Sequence, residues 1–136
     1  MSLHRTQNVA GIAAVVALAL TAACGNSTGP LAPFQPQINN VADDFQFQAT
    51  GVTNVTWTYT YTWANTGDSA TVNQATTVTG GSATLTILAP NGTQLYSQSL
   101  SANGTFGMTK GAAGNWTVRV VFTNYSGTVN FRVQKQ

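Results

Sequence analysis

The chain has 136 residues, of which only 6% are charged, against about 25% in an average soluble domain. Its few cations are scattered and form no basic stripe, so we expect no nucleic-acid partner. The sequence contains no Glu, and its single His and single Cys are His4 and Cys24. A mature chain without His, Glu or a spare thiol lacks the usual nucleophile, base and zinc ligands, so we expect neither an enzyme nor a bound cofactor.

Residues 1–23 have the three-part organisation of an export signal. Arg5 supplies the positive charge, an apolar run extends from 9 to 20, and two alanines precede Cys24. The apolar run is shorter than the ~20 residues that a membrane-spanning helix needs. We therefore predict that residues 1–23 are a cleaved signal peptide.

The segment Leu20-Thr-Ala-Ala-Cys24 resembles the lipobox of bacterial lipoproteins, with Thr21 where that family usually has Leu. The resemblance implies that Cys24 carries acyl chains, becomes the first mature residue and anchors the protein to a membrane. Because Gly25 rather than Asp follows the Cys, it also implies the outer membrane, or the cell surface in an organism without one. The alternative is an ordinary secreted chain in which Cys24 is a free thiol with no disulfide partner.

Residues 24–40 contain three prolines among glycines and small polar residues, a composition typical of linkers. We predict that this segment is a flexible tether and that the folded domain occupies residues 41–136. Phe34 and Ile38 are the two larger apolar residues near its end, and they either dock on the domain or are exposed.

From residue 44 onward, apolar and polar residues alternate with the period of a β-strand. The clearest run is Val55-Thr-Trp-Thr-Tyr-Thr-Tyr-Thr-Trp63, in which every second residue is Thr. Such a run gives a strand one aromatic face and one hydroxyl face. With the turn residues between the runs, the pattern predicts strands near 44–50, 54–64, 69–79, 82–89, 93–99, 104–109, 115–124 and 127–134. About eight short strands without a helix indicate an all-β fold, a single antiparallel β-sandwich.

Residues 82–134 add a second resemblance. A strand that ends in Pro90-Asn-Gly92, a strand entry at Gly114-Asn-Trp116 and a closing run Gly127-Thr-Val-Asn-Phe131 resemble the jelly-roll domains that accompany secreted bacterial proteases. These are the pre-peptidase C-terminal and proprotein-convertase P-type domains. The resemblance implies a jelly-roll-like sandwich, although the acidic residues that often bind calcium in those domains are not matched here.

The aromatic strand is the main candidate for a binding surface. If its aromatic face points inward, Trp57, Tyr59, Tyr61 and Trp63 form the core, with Trp63 expected to emerge near the rim. If part of that face is exposed, it resembles the stacking platform of a carbohydrate-binding module. We expect the threonine face to be solvated. An uncharged strand of this kind would accept a further strand if it lay at the edge of a sheet.

Calcium is the one metal that the composition admits. Asp43, Asp44 and Asp68 could supply oxygen ligands together with loop carbonyls. The competing interpretation is that Asp68 belongs to a turn and the Asp pair begins a strand.

Three functions are compatible with these features. The first is a non-catalytic envelope lipoprotein that acts as a structural or protein-interaction module. The second is a surface carbohydrate-binding module that uses the aromatic strand. The third is an accessory subunit that docks on a larger surface assembly by strand addition.

Overall fold

The computed structural model describes residues 29–136. A short 3₁₀ helix, Gly29–Phe34, precedes seven β-strands within this range. The strands are β1 (Gln37–Val41), β2 (Asp44–Asn65), β3 (Ala70–Gln74), β4 (Thr77–Leu88), β5 (Gln94–Ser99), β6 (Gly104–Gly107) and β7 (Gly114–Lys135). Every strand pairing is antiparallel.

The seven strands form one sheet that folds over on itself. Strands β2 and β7 are each 22 residues long and pair along almost their whole length. The first part of β2 and the last part of β7 belong to one layer, in the order β1-β2-β7-β3-β6. The second part of β2 and the first part of β7 belong to the other layer, in the order β2-β7-β4-β5. The predicted all-β antiparallel fold is therefore confirmed, with two layers that share their longest strands.

Aromatic side chains fill the space between the layers. Phe47 lies in the first half of β2, and its ring centroid is 6.4 Å from that of Tyr59 and 6.0 Å from that of Tyr61, both in the second half. It also stacks on Phe131 at 5.4 Å. Burial of such rings is the main source of stability in a domain that has so few charged groups.

Both long strands bend sharply where the sheet folds. The β2–β7 register shifts three times between Ala49 and Trp57, as expected for successive β-bulges. Asn54 and Asn124 have positive φ angles of 50° and 47°, a conformation that Asn tolerates better than most residues. The hydroxyl of Thr56 accepts a hydrogen bond from the Asn124 N–H at 2.8 Å, which ties the two bends together.

These bends correct the predicted number of strands. The sequence predicts strand breaks at 51–53, 80–81 and 125–126, but β2, β4 and β7 continue through these positions, where Gly and Asn residues bend the strands instead. The predicted strand 69–79 is instead divided, because Ala75 and Thr76 leave β3 and begin the path to β4. Thr76 is buried and bonded to Asn103 and Asn130, so this break is a fixed feature of the fold.

The tether prediction is wrong from residue 29 onward. Leu31 is fully buried in the core, and its N–H donates a hydrogen bond to the Tyr59 hydroxyl at 2.9 Å. Phe34 and Ile38 pack against the core, as one of the two alternatives proposed, and β1 pairs with the first residues of β2. The segment from residue 29 onward therefore packs against the sandwich and is part of the folded domain.

Candidate functional site

The aromatic strand, the central candidate from the sequence, is divided between the core and the surface. Tyr59 and Trp63 are buried and Tyr61 is half-buried, whereas Trp57 is 51% exposed. The expectation that Trp63 emerges near the rim is wrong. Trp57, at the other end of the same face, is the residue that emerges.

Trp63 is buried because two distant segments close over it. Its indole N–H donates a hydrogen bond to the Val41 carbonyl at 3.0 Å, and its ring meets Trp116 edge-on at 5.8 Å. The Trp116 indole in turn donates to the Ala112 carbonyl at 2.7 Å. Both indoles therefore have satisfied polar groups in the interior and form a structural pair.

The two tyrosines also pack against other aromatic rings. Tyr59 and Tyr61 stack at 6.5 Å, and Phe45 lies 5.3 Å from Tyr61. Burial raises the pKa of both phenols above their ordinary value, and the neighbouring Tyr59 raises that of Tyr61 further. Both side chains therefore stay protonated at neutral pH.

Trp57 lies where the strands bend, opposite Phe122 in the β2–β7 register. The start of the 3₁₀ helix lies beside its ring, since a Cβ atom on Gly29 would stand 3.2 Å from the Trp57 Nε1 atom. Trp57 and Val41 are the two large apolar residues of the described chain with the most exposed side chains, at 51% and 50%. Val41 lies near the opposite end, beside Trp63.

The second half of β2 forms an edge of its layer, because β7 is the only strand that pairs with residues 57–65 in the described chain. Near its end this edge is capped: Thr62 accepts a hydrogen bond from the Asn40 side chain, and Ala64 accepts one from the Asp43 N–H, each at 2.9 Å. Backbone groups alternate in direction along a strand, so those of Thr58 and Thr60 point to the same side as those two carbonyls.

No strand or backbone group of the described residues pairs with that side of Thr58 or Thr60. All four threonines of the run are exposed, as the sequence predicted: Thr56, Thr58, Thr60 and Thr62. We call the stretch Trp57–Tyr61, which ends before the capped Thr62, the open edge. Its backbone can hydrogen-bond to an added strand, and its side chains carry no charge to oppose one.

Each of the three aspartates proposed as calcium ligands lies beside a Lys or Arg side chain. Arg132 contacts Asp44 through two nitrogens, at 3.1 and 3.2 Å. Lys135 lies 3.5 Å from Asp43, and Asp68 lies 4.0 Å from Lys110. Within residues 29–136, no group of three or more His, Cys, Asp or Glu side chains is placed to hold a metal ion.

Asp43 instead organises the turn after β2. Its carboxylate accepts hydrogen bonds from the N–H and the hydroxyl of Thr66, both at 2.8 Å. These bonds, together with the charge of Lys135, lower the pKa of Asp43 below its ordinary value of 3.8 despite partial desolvation.

A groove that the sequence did not predict lies beside β5, at the edge of the layer opposite the open edge. It is a shallow groove of about 650 Å³, widely open to solvent, between β5 and the segment that follows β6. Its apolar lining comes from Leu95, Tyr96, Phe106 and Met108. Leu95, Tyr96 and Phe106 belong to short strands whose alternation is weak, and Met108 follows β6, so only the fold brings them together.

Cys24 and the signal segment lie outside the described residues. The acylation of Cys24 therefore remains a prediction from the lipobox resemblance. In the part of the chain that is described, no helix has the length and apolar character needed to cross a bilayer.

No family model matches the chain, and no curated protein matches it. Among solved structures, the accessory secretory protein 1, 2 and 3 structure from Streptococcus pneumoniae gives a TM-score of 0.40 at 7% identity, covering 82% of this chain and 92% of that one. The Glycosylation Associate Protein complex from Streptococcus agalactiae gives 0.40 at 8%, covering 80% and 42%. The CENP-C cupin domain of Drosophila melanogaster gives 0.37 at 8%, covering 74% and 75%. Similarities this low assign no activity, ligand or partner to the chain.

Proposed function

We propose that the protein is a non-catalytic lipoprotein of the bacterial cell envelope that binds a partner protein at its open edge. The signal segment and the lipobox-like sequence before Cys24 support export and acylation. The absence of Glu, and of any His or Cys other than His4 and Cys24, supports a binding role rather than catalysis. The outer membrane is the proposed location if the organism has one.

The observation that carries the binding role is the uncapped backbone of Thr58 and Thr60. The edge of β2 is covered at Thr62 and Ala64 by other parts of the chain, but its preceding stretch is left without a pairing strand among the described residues. Natural proteins usually protect such edges with charges, prolines or covering loops. A neutral, threonine-lined edge is suited to strand addition by a partner.

Proline substitution provides the most selective test of strand addition. Thr60→Pro removes an outward N–H and blocks an approaching strand, whereas proline at an edge position keeps the existing pairing with β7. We expect affinity capture from solubilised envelope to recover a partner with the wild type and to lose it with Thr60→Pro. Circular dichroism of both chains checks that the β fold is retained.

Two matched variants show whether partner loss comes from the backbone of Thr60, from its side chain or from proline in any exposed edge strand. Ser97→Pro places the same change on the exposed edge of β5, whose outward side is shown by the bond from Thr109 N–H to the neighbouring Leu95 carbonyl. Thr60→Val keeps the backbone and changes only the side chain. Both should retain the partner. Equal recovery with Thr60→Pro and the wild type would contradict strand addition at this edge.

A second candidate function is carbohydrate binding by Trp57. An exposed indole can stack on the face of a sugar ring, and Trp57 is the aromatic side chain of the strand that is accessible. Binding to a glycan array that disappears in Trp57→Ala but persists in Thr60→Pro would favour this function over strand addition. If the protein binds none of the glycans on the array, carbohydrate binding is excluded for those glycans.

A further inference from the structure

The charged residues are unevenly distributed along the sandwich. The ion pairs of Asp43 with Lys135 and Asp44 with Arg132 lie near the end where β2 begins and β7 finishes. At the opposite end, where the strands bend, residues 50–58, 76–84 and 121–128 contain no Asp, Glu, Lys, Arg or His. The adjoining 3₁₀ helix, Gly29–Phe34, has none either. We call this region the uncharged end.

The exposed Trp57 lies at the uncharged end. Its neighbours in the bend carry no charge, and the indole lies beside Gly29 with about half of its surface accessible. Indole rings favour the boundary between water and lipid, because their bodies are apolar while the N–H can bond to polar groups. A region with Trp but without charges can approach headgroups and acyl chains without desolvating an ion.

The same end receives the segment that leads from Cys24. Five peptide steps separate Cys24 from Gly29, and a chain of that length spans at most about 18 Å. An acyl group on Cys24 would therefore hold Gly29, and Trp57 beside it, close to the membrane surface. The charged end is farther away, since the eight residue-to-residue steps from Trp57 to Asn65 extend for about 27 Å along β2.

We propose that the uncharged end rests on the phospholipid bilayer, with Trp57 in the headgroup interface and the charged end directed away from the membrane. This inference rests on the proposed acylation of Cys24. It adds a second, non-covalent contact and fixes the orientation of the sandwich. The short connection keeps Trp57 at a high effective concentration at the surface, so a weak contact is sufficient.

Quenching of tryptophan fluorescence tests this orientation in the acylated protein. The lipoprotein is reconstituted into phosphatidylcholine vesicles, with or without phosphatidylcholine brominated near the headgroup end of one acyl chain. Trp63 and Trp116 are fully buried, so the difference between the wild type and Trp57→Phe isolates the emission of Trp57. We expect that difference emission to shift to shorter wavelength on reconstitution and to be quenched by the brominated lipid.

A control variant carries a single exposed tryptophan at the charged end, as Gln136→Trp in the Trp57→Phe background. Its added emission should be neither shifted nor quenched. Equal quenching of both positions, or no quenching of Trp57 in a protein that cosediments with the vesicles, would overturn the orientation but leave the lipid anchor intact. If mass spectrometry shows no acyl group on Cys24, both the anchor and the orientation are overturned.

Discussion

The two tryptophans of the aromatic strand should respond very differently to truncation. Trp63→Ala removes a fully buried ring together with the donor to the Val41 carbonyl. Truncating a buried Trp costs about 3–5 kcal/mol of unfolding free energy. Trp57→Ala removes a ring that is already 51% exposed, so its loss should be about 1–2 kcal/mol.

Urea unfolding followed by far-ultraviolet circular dichroism measures both values, in a mature chain that carries Cys24→Ser so that no lipid contributes. A domain of this size has a total free energy of unfolding of about 5–15 kcal/mol. Trp63→Ala should therefore lower the unfolding midpoint sharply or leave little folded protein. Trp63→Phe should remain folded, and its loss of unfolding free energy should lie between those of the two alanine variants. Equal losses for Trp57→Ala and Trp63→Ala would refute the assignment of Trp63 to the core.

Three further predictions concern the polar contacts and the bends. Tyr96→Phe removes the donor to the buried Gln74 oxygen, so the free energy of unfolding should fall by about 1–3 kcal/mol in urea titrations, and an unchanged midpoint would contradict this role. Gly81→Ala should destabilise more strongly, because φ is +65° and an added Cβ would clash with the Asn124 carbonyl oxygen. Thermal melts measure the loss of stability, and a wild-type melting temperature would exclude the clash. The lowered pKa of Asp43 means that its contribution is complete above the unfolded value near 3.8 and is lost as the pH falls through the folded pKa. Asp43→Asn should therefore reduce the loss of stability on acidification, and identical acid profiles would argue against it.

The periodicity of the sequence was enough to predict the fold class. Alternation in Val55–Trp63 and in Trp116–Phe122 identified strands whose inward faces contact the core, with Trp57 the exposed exception. This works because side chains of a strand alternate between faces whatever the topology. The continuity of β2 and β7 was not predicted, since Gly and Asn are the residues of both turns and bulges.

The site was predicted less well, because it depends on contacts between distant segments. The sequence identified the aromatic strand but placed the exposed ring at Trp63 instead of Trp57. Trp63 is buried because its indole bonds to the Val41 carbonyl, more than 20 residues away along the chain, and this contact has no signal in the local sequence. The docking of Leu31 was missed for a similar reason, since one apolar residue among prolines gives no periodic signal.

The mass of the protein isolated from native membranes tests most directly whether Cys24 joins this sandwich to a membrane. We expect a chain that begins at Cys24 and carries a diacylglycerol on its sulfur. An unmodified chain in the soluble fraction, with a free thiol at Cys24 or with residues 1–23 still attached, would contradict it.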